Sequence, residues 1–424
     1  MGFTLIPVGT IAPAGTGSLL GLALADVNND GRADLIAASG NAAGGTLSIL
    51  LAGNPAAGGL GFSLAGTIAL AAAPLAIAAG DVTGDGRADI VVSSAGTIAS
   101  VLAGQGNGSF AAPYGTLAPA GTLLAMALGD VTGDGKRDVV ISFGTGIGED
   151  ILGGAVTTAI TFNLTSAVNP QTYLGGPIGL GDLNGDGRAD VVLPTAAGVQ
   201  IGWGGPGGNF PTSTILAGSG LILTGGGGVV LADVNGDGRP DILRAAPYGV
   251  DVFLNQGGGS FAPASLAALH PYASAGGIAT ADLNGDGRPD LLVQAGGNVY
   301  VALGLGGGAF GMAQTLAAPS GGVMLLTGDF TGGGQPDLVL ASGNTAVAYV
   351  GANQMTAAQA VAAWQANGSA AGMIAVADSA ANFQAALAGL APLAAAGLLL
   401  RTTLADTAPS LTLGAAQLSA ALPV

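Results

Sequence analysis

Apolar residues in this chain fall in short runs separated by glycine-rich and acidic turns, and the same order of runs returns about every 50 residues. One repeat shows the order. Gly277-Ile-Ala-Thr-Ala precedes an Asp-rich segment, Leu291-Leu-Val follows it, Val299-Tyr-Val-Ala-Leu comes after a short turn, and Phe310 opens a further run. Runs of this length, bounded by Gly, Asn and Asp, read as strands rather than helices. A repeat of four strands and about 50 residues suits one blade of a β-propeller.

Two markers keep the phase of the repeat. The Asp-rich segments are DVNNDGRAD (26–34), DVTGDGRAD (81–89), DVTGDGKRD (130–138), DLNGDGRAD (182–190), DVNGDGRPD (233–241), DLNGDGRPD (282–290) and DFTGGGQPD (329–337), their starts 55, 49, 52, 51, 49 and 47 residues apart. Phe3, Phe62, Phe110, Phe162, Phe210, Phe261 and Phe310 each precede one of them by 19 to 23 residues. The expectation is an all-β, seven-bladed propeller. In each blade the run before the Asp segment is the first strand, the two runs after it are the second and third, and Phe leads the fourth. The seventh segment is followed by Leu338–Ala341 and Ala346–Val350 and then by no Phe-led run, whereas the chain opens with one at Phe3–Thr10. The N-terminal strand is therefore expected to close the last blade and cover its edge. Residues 1–353 form the propeller in this reading, and 354–424 a small C-terminal α/β segment rich in Ala.

Each Asp segment carries carboxylates at positions 1, 5 and 9, Asn or Thr at 3, Gly at 6 and a backbone carbonyl at 7. Calcium takes six to eight oxygen ligands, and a Gly permits the tight bend that gathers them. The expected ligands are Asp26, Asn28, Asp30, the Arg32 carbonyl and Asp34 in the first loop, and Asp81, Thr83, Asp85, Arg87 and Asp89 in the second. The third has Asp130, Thr132, Asp134, Lys136 and Asp138, and the fourth Asp182, Asn184, Asp186, Arg188 and Asp190. The fifth has Asp233, Asn235, Asp237, Arg239 and Asp241, and the sixth Asp282, Asn284, Asp286, Arg288 and Asp290. The seventh keeps Asp329, Thr331 and Asp337 but has Gly333 at position 5, so its site is expected to be weak or empty. Asp-Gly alone makes hairpin turns, yet a turn needs no three carboxylates within nine residues, whose repulsion costs stability unless a cation is present. The basic side chains at position 7 are expected to point into solvent or pair with a neighbouring acid.

Composition narrows the picture. The net charge is −16, but 20 of the 25 acidic residues lie in the Asp segments, leaving Glu149, Asp150, Asp251, Asp378 and Asp406. The charge thus belongs to the loops, six bound ions would offset most of it, and no basic patch invites nucleic acid. No apolar window of about 20 residues is free of Gly and Pro, so no membrane-spanning helix is expected. The opening residues lack a basic, apolar leader, so no classical signal peptide is expected either.

The segments and their Gly-x-Phe turns resemble the FG-GAP (VCBS-type) repeats of integrin α-chain propellers and of many bacterial secreted proteins, over about residues 1 to 352. The resemblance implies calcium at the listed Asp positions, in the hairpin between the first two strands of a blade, and ligands meeting the opposite face. Some lectins share this propeller. Beyond it, 356–367 reads as a helix, 373–377 as a strand, a second helix starts at Ser379, and 401–405 and 410–413 read as extended. The segment VADSAANFQAALAGLAPLAAAG resembles a unit of large exported bacterial proteins.

Other chemistry is sparse. Cys is absent, which removes thiol catalysis and disulfides. His270, the only histidine, reads as a loop or satisfied core position. Glu149-Asp150, in the long connection from Ile141 to Gly175, is a solvated loop pair or, in a polysaccharide lyase or hydrolase, a carboxylate pair. Trp203 could stack on a sugar. The expected function is a non-catalytic, secreted bacterial module with structural calcium, exported by a type I-like route, that binds an extracellular protein or glycan. A lectin and a polysaccharide-active enzyme are the alternatives.

Overall fold

The computed structural model describes the chain apart from residues 1, 12–13, 15–16, 54–60, 95–96, 113–122, 144–145, 152–159, 164–175, 207, 222–226, 272–275, 318–323 and 333; beyond 355 it describes 358, 360–362, 365, 374–378, 386, 389–390, 392–393, 399–404 and 412–414. The first strand, β1, is Gly2–Ile11. A four-stranded antiparallel sheet follows, with β2 Ser18–Ala25, β3 Asp34–Asn41, β4 Gly44–Ala52 and β5 Phe62–Leu70. Next come β6 Pro74–Gly80, β7 Asp89–Ser94 and β8 Thr97–Leu102, then β9 Leu123–Gly129, β10 Asp138–Phe143, β11 Gly146–Ile151 and β12 Ile160–Asn163. The fourth sheet is β13 Gly179–Gly181, β14 Asp190–Thr195, β15 Gly198–Trp203 and β16 Thr212–Ala217.

Two sheets add a small hairpin before their last strand. One is β17 Val229–Ala232, β18 Asp241–Ala246, β19 Gly249–Phe253 and β22 Ser265–Ala268, with the hairpin β20 Asn255–Gly257 and β21 Ser260–Phe261. The other is β23 Ile278–Ala281, β24 Asp290–Ala295, β25 Asn298–Ala302 and β28 Gln314–Ala317, with β26 Gly304–Gly306 and β27 Ala309–Phe310. The last Asp of each Asp segment is the first residue of the second strand in every one of these sheets, so the acidic loop is the connection between strands one and two.

The final sheet holds β29 Met324–Gly328, β30 Asp337–Ser342 and β31 Thr345–Met355, and β1 pairs antiparallel with β31 from Gly2 opposite Gln354 to Ile11 opposite Ala346. The N-terminal strand thus closes the last blade as expected. The first strands β2, β6, β9, β13, β17, β23 and β29 touch in that order, and β29 returns to β2. The result is a closed β-propeller.

The closure rests on small residues at the inner ends of these strands. A Cβ on Gly129 would lie 3.1 Å from Leu180 of the next blade, and one on Gly181 would lie 3.0 Å from Leu231. Each glycine lets the neighbouring leucine in toward the axis, and a side chain there would overpack the ring. Between blades the contacts are apolar and repeat. Phe110 packs into the cluster of Val27, Phe210 lies with Val131, Phe261 with Leu183 and Phe310 with Val234, while the rings of Phe62 and Phe330 stand 4.9 Å apart. These five Phe markers therefore dock on the second residue of the Asp segment in the preceding blade. This is why the two markers share one phase along the chain.

Some expectations shift. Phe162 does not begin its blade's fourth strand, Phe261 and Phe310 lie in the small hairpins before theirs, Phe210 stands two residues before its own, and Phe110 makes only a bridge to Gly104. Glu149 and Asp150 lie in β11, opposite Val140 and Val139, not in a loop. The boundary drawn after residue 353 falls inside β31. That strand runs past the blade and pairs in parallel with β32 Ile374–Asp378, which pairs in parallel with β33 Leu399–Leu404, with β34 Thr412–Gly414 at the edge. Residues 360–362 and 389–390 are helical, and Val361 lies against Gly389. The C-terminal α/β unit is thus an outgrowth of the closing sheet.

Deleting residues 1–11 should lower the urea midpoint by an amount corresponding to on the order of 5 kcal/mol, since about ten backbone pairings are lost, and should promote self-association through the bared edge of β31. Denaturation curves with light scattering check both.

Candidate functional site

The Asp loops all lie at one end of the strands, and their geometry repeats. In the fourth loop Asp182 Oδ1 accepts the backbone N–H groups of Gly185 (2.7 Å) and Asp186 (3.1 Å), and its Oδ2 accepts that of Gly187 (2.8 Å). Asp186 N–H is shared with Asn184 Oδ1 at 2.8 Å, and Asp186 Oδ1 accepts Arg188 N–H at 3.0 Å. The first, fifth and sixth loops repeat this pattern with Asp26, Asp233 and Asp282 at the centre. The chain can curl this tightly because positions 4 and 6 take a left-handed backbone. Position 4 is Gly in six loops, and in the first it is Asn29 at φ 59°, the non-glycine residue that best tolerates it.

Position 9 does something else. Asp190 is fully buried, and its Oδ2 accepts Leu183 N–H at 2.8 Å while its Oδ1 accepts Gly204 N–H at 2.7 Å. The same pair of bonds recurs from Asp34 to Val27 and Ala52, from Asp89 to Val82 and Gly104, from Asp241 to Val234 and Asn255, and from Asp290 to Leu283 and Gly304. One carboxylate thus ties the start of the acidic loop to the chain leaving the third strand. Spacing suggested an ion ligand here; the geometry adds that position 9 also accepts two backbone donors and so acts as a staple.

Burial dominates the charge state of these staples. It pushes Asp34, Asp190 and Asp290 up to about 6 and Asp337 up to about 7, against the backbone donors that pull the other way. Their native forms hold protons more tightly than the unfolded chain, so their contribution is present below about pH 4 and is lost as pH rises through about 6 to 7.

The loops bring positions 1, 3 and 5 together on the outside and turn position 9 inward. Among the described residues no group of three or more acidic or histidine side chains converges as a ready metal cage. The outer donors are nevertheless hard oxygens from carboxylates, Asn or Thr and a main-chain carbonyl, the chemistry calcium takes. Each carboxylate oxygen has two acceptor sites, so the N–H bonds leave capacity for an ion. Position 7 pairs with its own loop: Arg188 meets Asp186 at 2.7 Å and Arg288 meets Asp286 at 2.6 Å. In the seventh loop Asp329 and Asp337 keep their backbone bonds without an acid at position 5, so the loop shape survives the missing ligand.

Trp203 does not stand free. Its Nε1 donates to Thr214 Oγ1 at 2.9 Å and its ring lies against Gly259 of the next blade, where Leu51 meets Gly108 and Leu254 meets Gly308. It is interface packing, not a sugar platform. His270 is nearly buried, with its ring 5.5 Å from that of Tyr300, and its backbone N–H donates to the Tyr248 carbonyl. Glu149 and Asp150 occupy consecutive positions of β11.

A ring of blades, each with an acidic loop between its first two strands, defines a repeat propeller. The model of the FG-GAP-like repeat matches residues 26–92, 81–141, 182–244, 233–293 and 282–340, more than half of the chain. The protein belongs to the FG-GAP-like repeat family. No curated protein matches it in sequence. Among solved structures it resembles an Agrocybe aegerita lectin that recognises non-reducing terminal N-acetylglucosamine, with a TM-score of 0.52 and 22% identity over 75% of this chain and 88% of the lectin. It also resembles BBS1N, solved in complex with ARL6DN, with a TM-score of 0.51 and 13% identity over 81% of this chain and 96% of the other. At these identities the likeness is one of fold.

Asp190→Asn should cost about 1–3 kcal/mol, because the amide leaves one buried N–H of Leu183 or Gly204 without an acceptor; chemical denaturation measures it. In chelator, the urea midpoint should rise between pH 8 and pH 5 as the buried staples take up protons, and a flat or falling midpoint would contradict the staple geometry.

Proposed function

We propose that the chain is a secreted, non-catalytic propeller of seven blades that acts as an extracellular interaction and adhesion module, with structural calcium in its acidic loops. The cyclic order of first strands supports the blade count. The observation that carries the calcium reading is the repetition, on one end of the ring, of loops whose outward donors are all hard oxygens. At millimolar free calcium and a dissociation constant of about 10 μM, each loop would add about 2.7 kcal/mol. A protein without cysteine gains from such ions the rigidity that disulfides give other extracellular domains. Type I-like export from a bacterium belongs to the same reading, since the loops would load only after leaving the calcium-poor cytosol. The end opposite the loops is then free for an extracellular protein or glycan.

One observation favours glycan. Tyr248 sits in the turn between β18 and β19, on the end opposite the acidic loops, 44% exposed and with φ at 66°. A bulky residue in a left-handed turn is strained and exposes an apolar ring where a sugar could stack. The lectin likeness lends the same reading only its fold.

After dialysis against calcium, elemental analysis should find about six ions per chain, one for each loop with a full donor set, and chelator should lower the melting temperature; no bound calcium and an unchanged melt would refute the calcium reading. On a glycan array, any binding should fall at least tenfold in Tyr248→Ala, and binding that survives unchanged would remove Tyr248 from the site.

A further inference from the structure

Four acidic loops already hold a cation of their own. The guanidinium groups of Arg32, Arg188, Arg239 and Arg288, all at position 7, meet Oδ2 of the position-5 aspartates Asp30, Asp186, Asp237 and Asp286 at 2.5, 2.7, 2.5 and 2.6 Å. Three of them are anchored a second time. Nε of Arg188, Arg239 and Arg288 donates to the carbonyls of Gly204, Asn255 and Gly304, at 3.3, 3.2 and 3.1 Å, in the chain just past the third strand. The arginine thereby bridges the acidic loop to the same turn that the position-9 staple reaches from inside.

The other loops lack this clamp. Arg87 stands 3.6 Å from Asp85, and both side chains are nearly half exposed. The third loop has Lys136, which among the described residues makes no ion pair with Asp134, and a compact ammonium cannot span carboxylate and carbonyl as a planar fork does. The seventh has Gln335 and no acid at position 5.

A calcium ion and a guanidinium would share the position-5 carboxylate, and two cations on one carboxylate repel. We propose that the position-7 arginine is an internal counter-cation that sets the calcium affinity of its loop. The second and third loops then fill first, and the first, fourth, fifth and sixth fill at higher calcium, as each arginine yields its aspartate. This rests on the calcium reading above. In calcium-poor surroundings the same arginines offset the repulsion of the clustered aspartates and keep the loops folded. The protein would tolerate synthesis without calcium and stiffen in two stages outside.

The test is a calcium titration against a chromophoric chelator on the full chain, run beside melting curves in chelator. The wild type should show two classes of site, about two tight and about four weaker, separated by about two- to fivefold in dissociation constant, the scale of one partly exposed ion pair. In R32Q/R188Q/R239Q/R288Q the weaker class should tighten toward the first, while the calcium-free melting temperature falls. R188Q alone should move one site and guards against a quadruple variant that fails to fold, and R87Q should change little. A single class of sites that the arginine variants leave unmoved would overturn the counter-cation role while calcium binding stands. Binding of no calcium by wild type or variant would overturn the calcium reading, and this inference with it.

Discussion

A buried carboxylate with two backbone donors sets the geometry of each blade. The last Asp of the acidic loop opens the second strand, and in five blades it grips one N–H at the head of the loop and another just past the third strand, as Asp190 does with Leu183 and Gly204, whereas Asp138 and Asp337 accept two N–H groups at the loop head. Burying an acid in this way costs free energy, and burial duly raises the proton affinity of Asp34, Asp190, Asp290 and Asp337. The cost is tolerated because the two N–H groups it satisfies would otherwise be orphaned inside the blade. With both ends fixed, the residue after the first Asp is pressed into the blade interface, where the Phe of the next blade meets it. The ring is built by repeating this contact.

The loop therefore divides its acids between two tasks. Position 9 works inward, and in the seventh loop Asp337 still accepts Phe330 and Thr331 N–H although no acid stands at position 5. Positions 1, 3 and 5 work outward. Their oxygens accept the loop's own N–H groups and, in four loops, an arginine.

Much of the fold was legible in the sequence because its punctuation is chemical. Asp segments and Phe markers fix strand boundaries and the phase of closure, and β1 pairs with β31 as that phase requires. What spacing could not show is direction: carboxylates at positions 1, 5 and 9 look alike in a sequence, and only packing reveals that Asp34 or Asp290 faces backbone. Trp203 looked like a ligand platform because the string gives no sign that a Gly of the next blade fills its face, although Leu51 and Leu254 at matching positions were the available signal. The small residue before each acidic loop was equally silent until the neighbouring leucine was seen against it. The run of β31 beyond the blade was missed because no marker separates 345–350 from 351–355.

The central claim is that the position-9 carboxylate, before any ion binds, ties the acidic loop to the chain past the third strand, as at Asp190 and Asp290. Amide hydrogen exchange in chelator tests it most directly at Leu183, Gly204, Leu283 and Gly304, the donors to Asp190 and Asp290. These amides should exchange as slowly as the core of the second strands, with calcium slowing only the outer loop amides such as Gly187 and Gly287. Fast exchange at the four staple amides until calcium is added would make the ion, rather than the carboxylate, the fastener of the ring.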